Sequence, residues 1–171
     1  LYEGGVRVPG LLVWPAKITT GRITKTPCVT YDYLPTVLDA LNIKHPKPEY
    51  AIDGISLMPL IEGKTDGRSK PIGLMISKRL VMNTDKYKLL SYDGGKTLQL
   101  YDLKTDRQEK NNLAAQFPEI VSQLKKHFDT WHESVRKSFE GQEYGRQSFE
   151  RLGQKWSSPL TSSGRKTKRK N

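Results

Sequence analysis

Between positions 118 and 139, apolar side chains return every three or four residues, at Ile120, Val121, Leu124, Phe128, Trp131, Val135 and Phe139. Only a helix gathers that set onto one face, and a stripe about five turns long has to be buried against another element. Pro118 stands at the predicted N-terminus, where its missing N–H costs little.

The partner surface is written just upstream. Positions 72–76, 79–83, 87–92 and 98–102 are short, partly alternating runs separated by turn residues such as Thr84-Asp85 and Asp93-Gly94-Gly95. This spacing predicts an antiparallel meander of three or four strands beneath the long helix. The preceding stretch GKTDGRSKP, positions 63–71, is polar and turn-rich, and a boundary between subdomains is expected there. Earlier still, YDYLPTVLDALNI places Leu34, Val37, Leu38 and Leu41 at helical spacing, with Asp32 able to cap and Pro35 in the first turn. That helix should end before Pro46 and Pro48, and the apolar stretch 55–61 should add a helical turn or two. Positions 11–14, bracketed by Pro9 and Pro15, are apolar on both faces and read as a buried strand of a parallel or mixed sheet.

A length of 171 residues suits one domain or pieces of two. The formal charge of +11 would invite a nucleic-acid reading, but seven of the basic residues, and no acidic one, fall within positions 151–171. Residues 145–171 are therefore expected to be a basic, disordered tail, and no aromatic-plus-basic pattern points to a specific nucleic acid. Cys28 is the only cysteine, so no disulfide can form within the chain and no paired cysteines offer a zinc site. No apolar run reaches the roughly 20 residues of a membrane span.

Five stretches together carry a family resemblance. LYEGGVRVPGLLVWPAKI resembles the segment that follows the last metal-ligand motif of type I sulfatases. YDYLPTVLDALNI, IDGISLMPLIEG, the strand DKYKL at 85–89, and LYDLKTDRQEKNNLA before the long helix follow in the family's order, across residues 1–144. The chain is identified as resembling the C-terminal portion of these enzymes, which belong to the alkaline-phosphatase superfamily. The resemblance implies an α/β fold, a C-terminal piece of an alkaline-phosphatase-like sandwich followed by a small α+β subdomain. Residues 1–65 would be the tail of the large domain and 70–140 the subdomain. Asp106-Arg107 stands where the family often has Asp-Pro, which touches a turn and no chemistry.

Such enzymes use a cysteine or serine oxidised to formylglycine, whose hydrated form attacks sulfur, beside a calcium ion held by Asp and Asn oxygens. Hard oxygen ligands and cations suit a transition state that spreads negative charge over sulfuryl oxygens. The oxidised residue lies in a Cys/Ser-x-Pro-x-Arg motif, whereas Cys28 is followed by Val29, Thr30 and Tyr31. The resemblance places the calcium ligands and the sulfate-binding lysine upstream of Leu1. No catalytic, cofactor-binding or metal-binding residue is therefore expected in this chain, which alone should be inactive. Calcium and formylglycine are expected in an exported parent, periplasmic or extracellular, that acts on a sulfated carbohydrate or an aryl sulfate.

The remaining polar residues read structurally. Glu3 and Arg7 are expected to pair and orient the Gly4-Gly5 turn. His127 and His132 are expected to be solvated or packed, while His45, beside Pro46-Lys47-Pro48, is the best placed of the three for a specificity contact. Trp14 and Trp131 read as core residues, and Cys28 as a small buried side chain. Two other functions compete: a basic module binding an acidic polymer, and a superfamily phosphodiesterase or phosphonate hydrolase. Leu100-Tyr101-Asp102 and Asn111-Asn112-Leu113 favour the sulfatase. Without sheet neighbours, positions 11–14 would expose apolar surface and leave a partly molten, poorly soluble N-terminal third.

Overall fold

A computed structural model describes residues 1–140 and Gln142; the expected basic tail at 145–171 lies outside the described residues. The elements follow in order as α1 (Glu3–Val6), a 3-10 turn (Thr30–Asp32), α2 (Tyr33–Ala40), α3 (Met58–Ile61), β1 (Ile72–Ile76), β2 (Arg79–Asn83), β3 (Tyr87–Ser91), β4 (Gln99–Asp102) and α4 (Pro118–Phe139).

The four strands form one antiparallel meander in the order β1-β2-β3-β4. Its register sets Val81 opposite Leu74 and Leu90, and Lys88 opposite Tyr101. Because side chains alternate across a strand, this register sorts the sheet into two apolar faces. On one face Leu80, Met82, Leu89 and Leu100 pack against Leu124 and Phe128 of α4, with Ile120, Val121 and Trp131 around them. Each such side chain contributes about 1.5–3 kcal/mol when fully buried, so this contact is the principal core. Trp131 lies over β1, where a Cβ added to Gly73 would come within 2.4 Å of its ring. The predicted meander and long helix are thus both found, and α4 ends are favoured by Glu119 in its first turn and Arg136 and Lys137 in its last.

On the opposite face, Val81, Leu90 and Tyr101 form a second cluster with Leu1, Leu74 and Leu103. The cover here comes from the start of the chain: the α1 turn folds back over a strand face that would otherwise be bare.

The N-terminal third departs from expectation. Residues 11–14 are not a strand. Leu11 is 91% exposed and Val13 75% exposed, and the chain turns immediately afterwards as Lys17 and Ile18 donate to the Trp14 carbonyl at 2.9 and 2.8 Å. An apolar run buries both faces only where neighbouring strands exist to receive it, and the meander here pairs only with itself. Trp14 is half-buried rather than a core residue. The α2 helix forms over Tyr33–Ala40, yet of its predicted packing face Leu34, Val37 and Leu41 are exposed and only Leu38 is half-buried. Asp32 stands at its N-cap position without capping it. The 55–61 stretch supplies one turn, α3, whose Met58 and Leu60 are buried.

Candidate functional site

Two buried ionic centres stand out, and the first of them reaches α1. The first is Lys88, the second residue of β3. Its neighbours two positions away and across the sheet, Leu90 and Tyr101, are buried, and Lys88 itself is 0% exposed. A buried ammonium is tolerated only when paired, because desolvation otherwise costs several kcal/mol per ion. Lys88 Nζ lies 3.0 Å from Glu3 Oε1 and 2.9 Å from Glu109 Oε1. The first contact is also a hydrogen bond; the second is close enough for ion pairing but not aligned for one. Glu109 reaches further, since its Oε2 accepts the Glu3 backbone N–H at 2.6 Å. Its own backbone sits at φ +53, a left-handed conformation unusual for glutamate. Around this trio, Tyr2 packs on Tyr92 at 5.5 Å between ring centroids, and burial pushes the Tyr101 phenol above its ordinary value.

The second centre is Asp32, also 0% exposed. Its carboxylate takes a bidentate guanidinium, with Arg68 Nη1 at 2.6 Å and Nη2 at 2.8 Å, and accepts the Val29 and Ile55 amides at 2.9 and 3.0 Å. Burial alone would raise this carboxyl; the Arg68 hydrogen bonds and the two amides outweigh it and hold it below its ordinary value. The same node fixes the backbone nearby. Thr36 donates to the Asp32 carbonyl and accepts the Leu57 amide, while Arg68 donates its backbone N–H to Asp85 Oδ2 at 2.7 Å. A Cβ on Gly54 would meet the Tyr31 carbonyl oxygen at 2.1 Å, so the 54–57 strand of chain can lie this close only with glycine there.

The residues singled out from sequence are scattered. The expected Glu3–Arg7 pair is not formed: Glu3 pairs with Lys88, and Arg7 is exposed. Arg7 lies at the C-terminal end of a short turn whose interior faces the sheet, so the longer-range lysine reaches the carboxylate. His45 is half-buried with Nδ1 2.6 Å from the Lys47 carbonyl, a contact within its own loop. His127 is exposed; His132 stacks on Phe128 at 5.4 Å and lines a cavity of about 180 Å³ with Met75, Leu80 and Leu98. That cavity is apolar, and the ammonium of Lys125 at its edge is already paired with Asp129 at 2.6 Å. Cys28 is exposed rather than buried, because the segment it belongs to runs along the surface beside Asp32 instead of entering a core. Among the described residues no three His, Cys, Asp or Glu side chains converge as metal ligands.

Residues 1–134 match the family model described as N-sulphoglucosamine sulphohydrolase, C-terminal. The chain belongs to this sulfatase family. The match covers both ionic centres and all but the end of α4. Human steryl-sulfatase is 44% identical to the sulfatase chain over 64 residues, 37% of this chain and 11% of the relative. Arylsulfatase K of Xenopus laevis is 28% identical over 165 residues, 87% of this chain and 30% of the relative. The chain thus spans about a tenth to a third of the length of these relatives. Among solved structures, Ps i-CgsB in complex with k-i-k-neocarrahexaose superposes with a TM-score of 0.50 at 17% identity, over 60% of this chain and 24% of that one, which supports the fold.

What the described residues of this chain do bring together is ionic scaffolding. Sequence reading missed Lys88, Glu109 and Arg68 as its members. One signal was available: Lys88 shares a strand face with Leu90 and is the only charged residue of its strand, so it had to be either a face-breaking charge or a paired one.

Proposed function

We propose that this chain works as the C-terminal part of a sulfatase, residues 1–65 completing the large α/β unit and residues 70–140 forming the subdomain behind it. The catalytic group, formylglycine, and calcium belong to the rest of the enzyme in this reading, and no residue of this chain is assigned to catalysis or to metal binding. The substrate class is a sulfate ester of a carbohydrate or an aryl alcohol, and the enzyme is exported.

The observation that carries the proposal is the contrast between the two halves. The sheet and α4 bury their apolar residues, whereas Val8, Leu11, Leu12, Val13, Ile23, Leu34, Val37, Leu41 and Ile43 are all exposed. An apolar surface of that extent marks a contact site. In a full-length sulfatase, of which this chain spans a third or less, a sheet extending past residues 11–14 and packing on α2 would cover it. The family membership supplies the chemistry to the reading; the exposed surface supplies the geometry.

Reading the coding sequence upstream of Leu1 tests this directly. An open frame carrying Cys/Ser-x-Pro-x-Arg and an Asp-Asn pair supports it, and a continuous coding sequence lacking both overturns it. In parallel, the 171-residue chain is expected to leave 4-nitrophenyl sulfate intact with calcium present. Turnover by this chain alone would show a catalytic group the proposal does not contain.

A further inference from the structure

The α1 turn has few ties of its own. Its exposed side carries Gly4, Gly5 and Arg7, and beyond it the backbone runs exposed through residues 7–13. Within it, Gly5 donates to the Tyr2 carbonyl and Arg7 to the Glu3 carbonyl, both at 2.9 Å. A four-residue helix with two glycines is far below the length that holds itself together in water. Its placement must come from elsewhere, and three connections to the sheet are available: Leu1 in the second apolar cluster, Tyr2 against Tyr92, and the Lys88–Glu3–Glu109 circuit.

The circuit is the directional one. Glu109 contacts both other members, pairing with Lys88 through Oε1 and receiving the Glu3 amide through Oε2. The three residues are 85 and 106 positions apart along the chain from Glu3. They therefore bind the first turn to β3 and to the loop after β4 at one point. The left-handed backbone of Glu109 is a conformation that persists when its surroundings over-determine it. Removing Lys88 alone would leave the Glu109 carboxylate buried and uncompensated and weaken the whole unit, so the variant that isolates positioning is Glu3→Gln, which leaves the Lys88–Glu109 pair in place.

We propose that Lys88 is a positioning residue: by pairing with Glu3 and Glu109 it sets where the Glu3–Val6 turn lies, so the small subdomain dictates the path of the backbone leading into the large one. Its importance for a sulfatase rests on the function proposed above, but the positioning does not, and the experiment separates them. Amide exchange read by mass spectrometry on the full 171-residue chain is compared for the parent, Lys88→Met, Lys88→Arg and Glu3→Gln. In Lys88→Met, protection of the Glu3, Gly5 and Arg7 amides is expected to fall tenfold or more beyond the loss that the uncompensated Glu109 carboxylate brings to β3 and β4 alike. Lys88→Arg should restore most of it, and Glu3→Gln, which leaves the sheet untouched, should loosen the same three amides.

Unchanged protection at these amides in Glu3→Gln overturns the proposal, as does a loss spread equally over the sheet in Lys88→Met. Should Lys88→Met fail to fold, Glu3→Gln decides alone. No sulfate ester enters the measurement, so a failed positioning role leaves the sulfatase reading intact, and a failed sulfatase reading leaves the exchange result standing.

Discussion

Replacing Arg68 by methionine removes the guanidinium from a carboxylate that has no water to fall back on. Asp32 is 0% exposed and the Arg68 side chain 1% exposed, so Arg68→Met leaves an anion held only by the Val29 and Ile55 amides. Losing one partner of a buried pair costs about 3–5 kcal/mol, because the remaining charge keeps its desolvation penalty. With a urea dependence of about 2 kcal/mol per molar, the unfolding midpoint should fall by roughly 2 M. Tryptophan fluorescence and far-ultraviolet circular dichroism through a urea series at pH 7 read this out. The pH dependence fixes the cause. In the parent, the Asp32 carboxyl is held below its ordinary value of 3.8, so its contribution is complete above that value and disappears as pH falls through the depressed one. In Arg68→Met the unpaired buried carboxyl is instead raised, so acidification relieves the variant first, and the gap between the two should narrow below about pH 5. Asp32→Asn combined with Arg68→Met should recover part of the loss. A midpoint change under about 0.5 M at pH 7, or roughly 1 kcal/mol, would refute the argument that this pair is desolvated and coupled.

Gly73→Ala drives a methyl into the Trp131 ring, 2.4 Å away, and should destabilise the sheet-and-helix unit by about 1–3 kcal/mol in a thermal melt. Leu100→Ala, at the centre of the same core, should cost about 2–5 kcal/mol by the same measurement. Leu11→Ser with Leu12→Ser removes exposed apolar surface only; stability should stay within about 0.5 kcal/mol while binding of a hydrophobic dye falls and the monomer fraction in gel filtration rises. Gly4→Ala meets nothing within 4 Å and no positive φ, so it should be neutral or stabilise α1 by about 0.5–1 kcal/mol. Greater exchange protection at Arg7 would register that gain.

Local pattern determined the second half of the molecule. The period of Ile120, Leu124, Phe128 and Trp131 specifies a helix with one apolar face, and the alternating runs from 72 to 102 specify a sheet able to receive it. Helix and sheet lie next to each other in sequence, so the surface each needs is within the reach of the connection over residues 103–117. The motifs from LYEGGVRVPG to NNLA likewise carried the family, since they depend on residue identity and order rather than on packing.

Tertiary structure alone decided the rest. Period says that Leu34, Val37 and Leu41 share a face and that residues 11–14 are apolar throughout; it does not say whether a partner surface lies within the chain, and here they are exposed. Nor does local pattern reveal ion pairs between distant positions. Asp32 looks like a helix cap because capping is a local act, yet its carboxylate is claimed by Arg68, 36 residues away. Glu3 looks like a partner for Arg7 because they are four apart, yet Lys88, 85 positions on, reaches it first. Charge pairing follows distance in space, and that distance exists only once the sheet has folded and its second face has drawn the first turn of the chain down onto it.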